Sequence, residues 1–254
     1  MSKLKLSDIS TRADEDKDKK EAKEKTAEML VEINELQNLL YAEGKNSLLV
    51  ILQGMDASGK DGVIRNVFGS LNPQGVQVKS FKAPTDEELS HDFLWRIHPH
   101  APAKGMIQIF NRSHYEDVII TRVHGWCNDD LAEKRMKAIN NWEDLLAQHN
   151  NTSILKFYLH VSYKEQQERL SERMNDTTKM WKYNANDIKE SKYWDKYMSM
   201  YEDCFEGCTK IPWHIIPSDQ NWYKEYLIAG KVLETLSTLK MKFPSVEDNV
   251  HGKQ

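Results

Sequence analysis

Cysteine is scarce: Cys127, Cys204 and Cys208 are the only three in 254 residues. An odd, low number excludes a disulfide framework and points to a reducing compartment, so a cytoplasmic setting is expected. Cys204 and Cys208 stand four apart with no second ligand pair at zinc-like spacing. Ordinary helix packing is therefore expected of them rather than a metal. Long apolar runs are missing as well. None approaches the roughly 20 residues that span a bilayer, so no membrane partner is expected. Met1 to Lys25 is charged rather than apolar, which argues against a secretory leader. A basic excess is also absent: 35 Lys and Arg face 39 Asp and Glu, for a net charge of -4. That disfavours a nucleic-acid partner, although it leaves room for a local basic groove. Repeats, low-complexity linkers and composition breaks are lacking too. The expected organisation is a polar lead-in over residues 1–25 and one domain over 26–254.

What is present is an alternation of short apolar runs with helical patterns. Met29, Leu30, Ile33, Leu36, Leu39 and Leu40 predict an amphipathic helix over Lys25 to Tyr41, with Gly44 placed to end it. Strands are expected at Ser47–Gln53, Val76–Phe81, Met106–Phe110, Ile154–Val161 and Trp213–Ile216. Helices are expected at Val63–Leu71, Asp130–His149, Lys164–Met174, Ser191–Phe205 and Trp222–Lys240. Thr85 and Glu88 form a capping-box pattern before a helix running through Leu94 and Trp95. Strands alternating with helices predict an α/β fold, a five-stranded parallel sheet covered on both faces.

The first apolar strand runs directly into Gly54-Met-Asp-Ala-Ser-Gly59-Lys60, the G-x-x-x-x-G-K pattern of a P-loop. Glycines let backbone N–H groups curl around phosphate oxygens, and the next helix presents its positive end. Gly54, Ala57, Ser58, Gly59, Lys60 and Gly62 are the candidate cradle residues. Lys60 is the candidate charge on the transferring phosphate. The hydroxyl that usually follows the lysine is replaced by Asp61. A carboxylate there must point away from the phosphates or belong to a rebuilt ligand set. Asp56 offers a hard oxygen suited to Mg²⁺.

A second candidate cluster follows the third strand: Arg112, His114, Glu116, Asp117 and Arg122. A strand end beside a P-loop is where a second metal-binding carboxylate belongs, and Glu116 and Asp117 both qualify. Arg112 and Arg122 can stabilise charge on a moving phosphoryl group. Arg169 and Arg173 share a helix face, and the polar stretch after them carries Lys179 and Lys182. Asp187 and Glu190 then resemble a capping box. Helix, basic loop and helix over about residues 169–195 suit a lid that closes on phosphate and expels water. Arg65, Lys79 and Lys82 could extend the positive track.

At this point the residues match a known family. The segments GMDASGKDGVIRNV, LNPQGVQVKSFKAPTDEELSHDFLWR, IFNRSHYEDV, ERLSERMNDTTKMWKYNANDIKESKYWDKY and PWHIIPSDQNWY together resemble the polyphosphate kinase type 2 family. The resemblance implies a three-layer α/β/α sandwich, a thymidylate kinase-like P-loop kinase with a helical lid. It implies Mg²⁺, for which Mn²⁺ can substitute, and a homodimer or homotetramer. The implied donor is inorganic polyphosphate, and the implied acceptors are ADP, AMP or both, with guanine nucleotides an open second class. Position by position, Asp56 and Lys60 fall on the family's Walker A acid and lysine. Asp117 falls on its Walker B acid, Arg112 and Arg122 on the arginines around that site, and Arg169, Arg173, Lys179 and Lys182 in its lid. Two alternatives stand beside this: an ATP-dependent nucleoside monophosphate kinase, and a nucleotide- or polyphosphate-binding regulator without turnover.

Overall fold

A computed structural model describes residues 4–245. Five parallel strands pair in the order β2-β3-β1-β4-β5. They are β1 (Ser47–Gln53), β2 (Val76–Ser80), β3 (Ile107–Asn111), β4 (Thr152–His160) and β5 (Trp213–Pro217). Strand β1 is buried along its whole length because both faces are covered. Leu48, Val50 and Leu52 pack on one face with residues of α1 (Lys19–Glu43), α2 (Lys60–Phe68) and α9 (Asn221–Thr238). Leu49 and Ile51 pack on the other with residues of α5 (Asp129–Asn150) and α8 (Trp194–Gly207). The expected three-layer α/β/α arrangement is thus the one observed.

Strand order places the site. From β1 the chain crosses to β2, returns through β3, and then passes to β4 on the far side of β1. Directions therefore reverse between β1 and β3. The crevice outside the carboxyl ends of such a pair is where open α/β sheets bind ligands.

Several boundaries differ from expectation, each for a local reason. The first helix begins at Lys19 rather than Lys25, because the Asp18 side chain caps it by accepting from the Glu21 N–H. Gly44 ends it in the left-handed region at φ 63°, as expected. The Thr85–Glu88 capping box forms, yet α3 spans only Asp86–Ser90. Asp92 Oδ1 then accepts from the Leu94 N–H in a turn, so no helix continues through Trp95. After α4 (Ile120–Val123) and α6 (Tyr163–Asn175) come a 3-10 turn at Met180–Lys182 and α7 (Ala185–Ser191). The helix expected over Ser191–Phe205 is α8, which begins three residues later, at Trp194, after α7 has ended at Ser191. Asp187 and Glu190 cap nothing: Asn184 caps α7, Asp187 meets Arg173, and Glu190 meets His124 and Tyr197.

Ahead of the polar stretch that begins at Ser10, the lead-in is packed onto the domain. Leu6 is buried, its N–H donates to Glu202 Oε1 at 2.8 Å, and the Asp219 N–H donates to Thr11 O at 3.0 Å. Two apolar residues, Leu6 and Ile9, pack this polar segment onto the core. At the other end, residues 246–254 of the expected domain lie outside the described residues.

One ionic cluster sits wholly inside. Lys156 on β4 donates to Glu143 Oε2 and to Tyr115 Oη, each at 2.8 Å, and Tyr115 donates to Glu143 Oε1 at 2.7 Å. Burial alone would raise the Glu143 carboxyl, but His114 and Lys156 outweigh it and hold it below its usual range. Cys204 and Cys208 are buried and free, in line with plain packing.

Candidate active site

The loop between β1 and α2 needs left-handed backbone at Gly54 (φ 148°), Ala57 (φ 62°) and Gly59 (φ 98°). Only glycine reaches such values without strain. Gly54 is also crowded: a Cβ there would stand 2.9 Å from both Leu159 O and Ser58 Oγ. Each carbonyl from Gly54 to Ser58 is held from behind. Lys60 Nζ donates to Gly54 O at 2.7 Å and Met55 O at 3.1 Å. Gln166 Nε2 donates to Asp56 O at 3.1 Å, and Arg169 Nη1 to Ala57 O at 3.0 Å. Lys224 Nζ donates to Ser58 O at 3.1 Å. In a trans peptide the N–H points opposite to the preceding carbonyl, so fixing the carbonyls on one side turns N–H groups toward the other. The unpaired N–H groups at the start of α2 add to the same anion-binding surface.

Side chains of opposite charge gather at this loop. Arg112, just past β3 and left-handed at φ 62°, donates to Asp56 and lies 3.7 Å from Glu116. With its amide oriented so that each atom meets a complementary group, Gln53 donates to Glu116 Oε1 at 2.9 Å. Burial would raise the Asp56 carboxyl, but Arg112 and Lys60 outweigh it and hold it below the ordinary range. Burial pushes Lys60 down to about 8, Arg112 adds to that, and Asp56 and Glu116 oppose it. Arg173 on α6 donates to Asp187 at 2.6 Å and contributes to the field on Asp56. Ser58 Oγ is buried with no hydrogen-bond partner, a hydroxyl free for a phosphate oxygen.

The question posed by Asp61 has a geometric answer. Asn111 Nδ2 donates to Asp61 Oδ1 at 2.9 Å, and Lys182 Nζ to Asp61 Oδ2 at 3.1 Å. The carboxylate anchors the segment between α6 and α7 onto the start of α2.

Several expected site residues lie elsewhere. Asp117 occupies a 3-10 turn, His114–Asp117, and successive residues of such a turn point different ways. Glu116 faces Arg112, whereas the charges acting on Asp117 are Arg135, Arg96, Glu116 and Glu88. Burial raises the Asp117 carboxyl to about 6, with Arg135 and Arg96 offsetting it only in part. Arg122 donates to Asp129 at 2.6 Å and to Asp203 at 2.9 Å, tying α4 to α5 and α8 rather than reaching the cradle. Arg65 sits in the last turn of α2, away from the phosphate end. Arg169 spends its nitrogens on Glu165, Ala57 O, Ser218 O and Asp219 O, so it braces the loop. Lys179 pairs with Glu172 and Asp176 on the surface.

Lys224 and Gln166 are the residues that sequence reasoning missed. The signal for Lys224 was there: Lys224, Ile228, Val232 and Leu236 follow at steps of four, and all are buried. A lysine on the apolar stripe of an amphipathic helix demands a partner.

A parallel sheet with this loop at its switch point, a buried lysine and two facing carboxylates define a phosphotransferase of the P-loop kinase class. Comparison with known proteins narrows this. The profile described as Polyphosphate kinase 2 (PPK2) matches residues 16–244. The chain is 46% identical over 217 residues to the AMP/ADP-polyphosphate phosphotransferase of Meiothermus ruber, covering 85% of this chain and 81% of that one. It is 42% identical over 226 residues to the ADP-polyphosphate phosphotransferase of Rhodopseudomonas palustris, covering 84% and 78%. The crystal structure of polyphosphate kinase 2 from Arthrobacter aurescens TC1 superposes with a TM-score of 0.93 at 42% identity, covering 97% of this chain and 90% of that one. The chain belongs to the polyphosphate kinase 2 family. As a member it is a polyphosphate-dependent nucleotide phosphotransferase.

Proposed function

We propose that this chain moves phosphoryl groups reversibly between inorganic polyphosphate and both ADP and AMP. The observation that carries the proposal is the cradle itself: every carbonyl from Gly54 to Ser58 is pinned, beside Lys60, Arg112 and two carboxylates. Acceptance of both nucleotides is supported by the Meiothermus ruber relative, whose name carries both. In the forward step the terminal bridging P–O bond of polyphosphate breaks, and its electron pair stays on the shortened chain. An oxygen of the nucleotide's last phosphate forms the new P–O bond.

Asp56 and Glu116 supply hard oxygens to a shared guanidinium at the mouth of the cradle, a donor set that fits Mg²⁺. When bound, the ion neutralises charge developing on phosphate oxygens. Lys60 leans on the loop carbonyls and presents its charge to the transferring group. Arg112 balances the two carboxylates and stands where it can follow charge during transfer. Arg173 would join on closure of the segment containing α7, for which Lys182–Asp61 is the latch. Mn²⁺ is proposed to substitute for Mg²⁺. A homo-oligomer working in the cytoplasm completes the proposal, and three buried free cysteines suit that reducing setting.

The test mixes protein, Mg²⁺ and either ADP or AMP, with and without polyphosphate, and follows nucleotides by chromatography. ATP from ADP, and ADP from AMP, should appear only with polyphosphate. Product that needs an added nucleoside triphosphate would instead mean a monophosphate kinase. Binding without turnover would mean a regulator.

A further inference from the structure

Lys224 is the most completely buried cation around the cradle, at 0% exposure, against 8% for Lys60. It comes from α9, a helix that otherwise only packs. Its Nζ donates to Ser58 O at 3.1 Å and to Asn221 Oδ1 at 3.0 Å. It also lies directly behind Gly59, where a Cβ would collide with the ammonium. The charged groups around it are Arg169, Lys60, Glu225 and Glu165. Burial first, then Arg169, push Lys224 down to about 7. A lysine kept in so unfavourable a place, with one loop carbonyl and one amide oxygen as its acceptors, is a costly way to pack a helix.

We propose that Lys224 is a positioning residue for phosphoryl transfer: by holding Ser58 O, it turns the Gly59 N–H into the cradle to meet the bound phosphate. The geometry follows from peptide planarity, since the Ser58 carbonyl and the Gly59 N–H belong to one trans peptide. Lys224 does not touch the anion. It acts through that one peptide, and the contact with Gly59 leaves no room for a longer or wider cation. The proposal rests on Gly54–Lys60 being the phosphate cradle.

The test uses the full chain and inorganic tripolyphosphate as the probe. Calorimetry gives Kd at two salt concentrations, and steady-state assays give kcat and KM. Wild type must bind tripolyphosphate; if it does not, the cradle assignment itself fails, whatever Lys224 does. Given binding, Lys224→Met should weaken Kd at least tenfold and lower kcat, with the salt dependence of Kd unchanged. Lys224→Arg should not restore either constant, because the guanidinium cannot fit behind Gly59. Asn221→Leu keeps the lysine but removes its second acceptor, and should weaken Kd a few-fold; it tests the idea even where Lys224→Met fails to fold. Kd and kcat within twofold of wild type in Lys224→Met, or unchanged Kd in Asn221→Leu when only that variant folds, would overturn the proposal. So would full rescue by Lys224→Arg, or a flatter salt dependence, since either would mean that charge acts directly on the anion.

Discussion

Glu116 and Asp117 are adjacent in sequence, yet they meet different neighbours. Glu116 lies 3.7 Å from Arg112 and acts on Lys60, whereas Asp117 answers to Arg135 and Arg96. If the Mg²⁺ requirement follows this geometry, Glu116→Gln should raise the half-saturating Mg²⁺ several-fold and lower kcat by about 10²-fold, the loss typical of one preorganised electrostatic contact. Asp117→Asn should leave the Mg²⁺ midpoint nearer to wild type. Titrating activity with Mg²⁺ in both variants decides this, and a larger midpoint shift in Asp117→Asn would return the metal role to that residue. The motif made the cradle legible, because G-x-x-x-x-G-K states which backbone must bend. It could not tell the surroundings of Glu116 from those of Asp117, since they depend on a single turn of 3-10 geometry. The apolar stripe of α9 marks Lys224 but not its target, because Ser58 O is a backbone atom that no side-chain pattern reveals.

Among the elements, the segment from the end of α6 through α7 is the one proposed above to close over the site. Gln166 and Arg169 fix the base of α6 to the cradle, whereas the later part is tied by Lys182 to Asp61, and by Arg173 through Asp187 toward Asp56. The Lys182–Asp61 pair is partly solvated, and such pairs contribute roughly 0–1 kcal/mol. Lys182→Ala should therefore leave global stability almost unchanged while residues 176–191 exchange backbone hydrogens faster. The apparent KM for long polyphosphate should rise a few-fold, and more at low salt than at high salt. Exchange mass spectrometry with kinetics at two ionic strengths is the measurement; unchanged exchange in that segment would remove Lys182 as the latch. Periodicity announced all five strands: β1, β3 and β4 are apolar runs buried almost throughout, while the outer β2 and β5 are only partly buried and were marked by alternation and by Pro217. It started α8 three residues early, at Ser191, since the break at Lys192–Tyr193 carries neither glycine nor proline to mark it.

For the molecule as a whole, two lysines inside one cradle link phosphate binding to pH. Both lie below the ordinary 10.5, Lys60 at about 8 and Lys224 at about 7, chiefly through burial. The unfolded chain therefore holds more protons than the folded one between about pH 7 and 10.5, and stability of the free protein should rise with pH across that window. Binding has the opposite sign. A polyanion favours the charged ammonium, so tripolyphosphate should draw protons in on binding near pH 8, and its affinity should fall as pH rises further. Calorimetry in buffers of different ionisation enthalpy measures that uptake, and proton release on binding would contradict it.

The cradle's carbonyls take their donors from Lys60, Gln166, Arg169 and Lys224, so a five-residue loop is completed only by a helix near the far end of the chain. During translation the loop sequence is made early and α9 late. A nascent chain thus carries the whole phosphate-binding motif for most of its synthesis while Ser58 O waits for its donor. The loop and the donor for Ser58 O are thus joined only after Lys224 has left the ribosome.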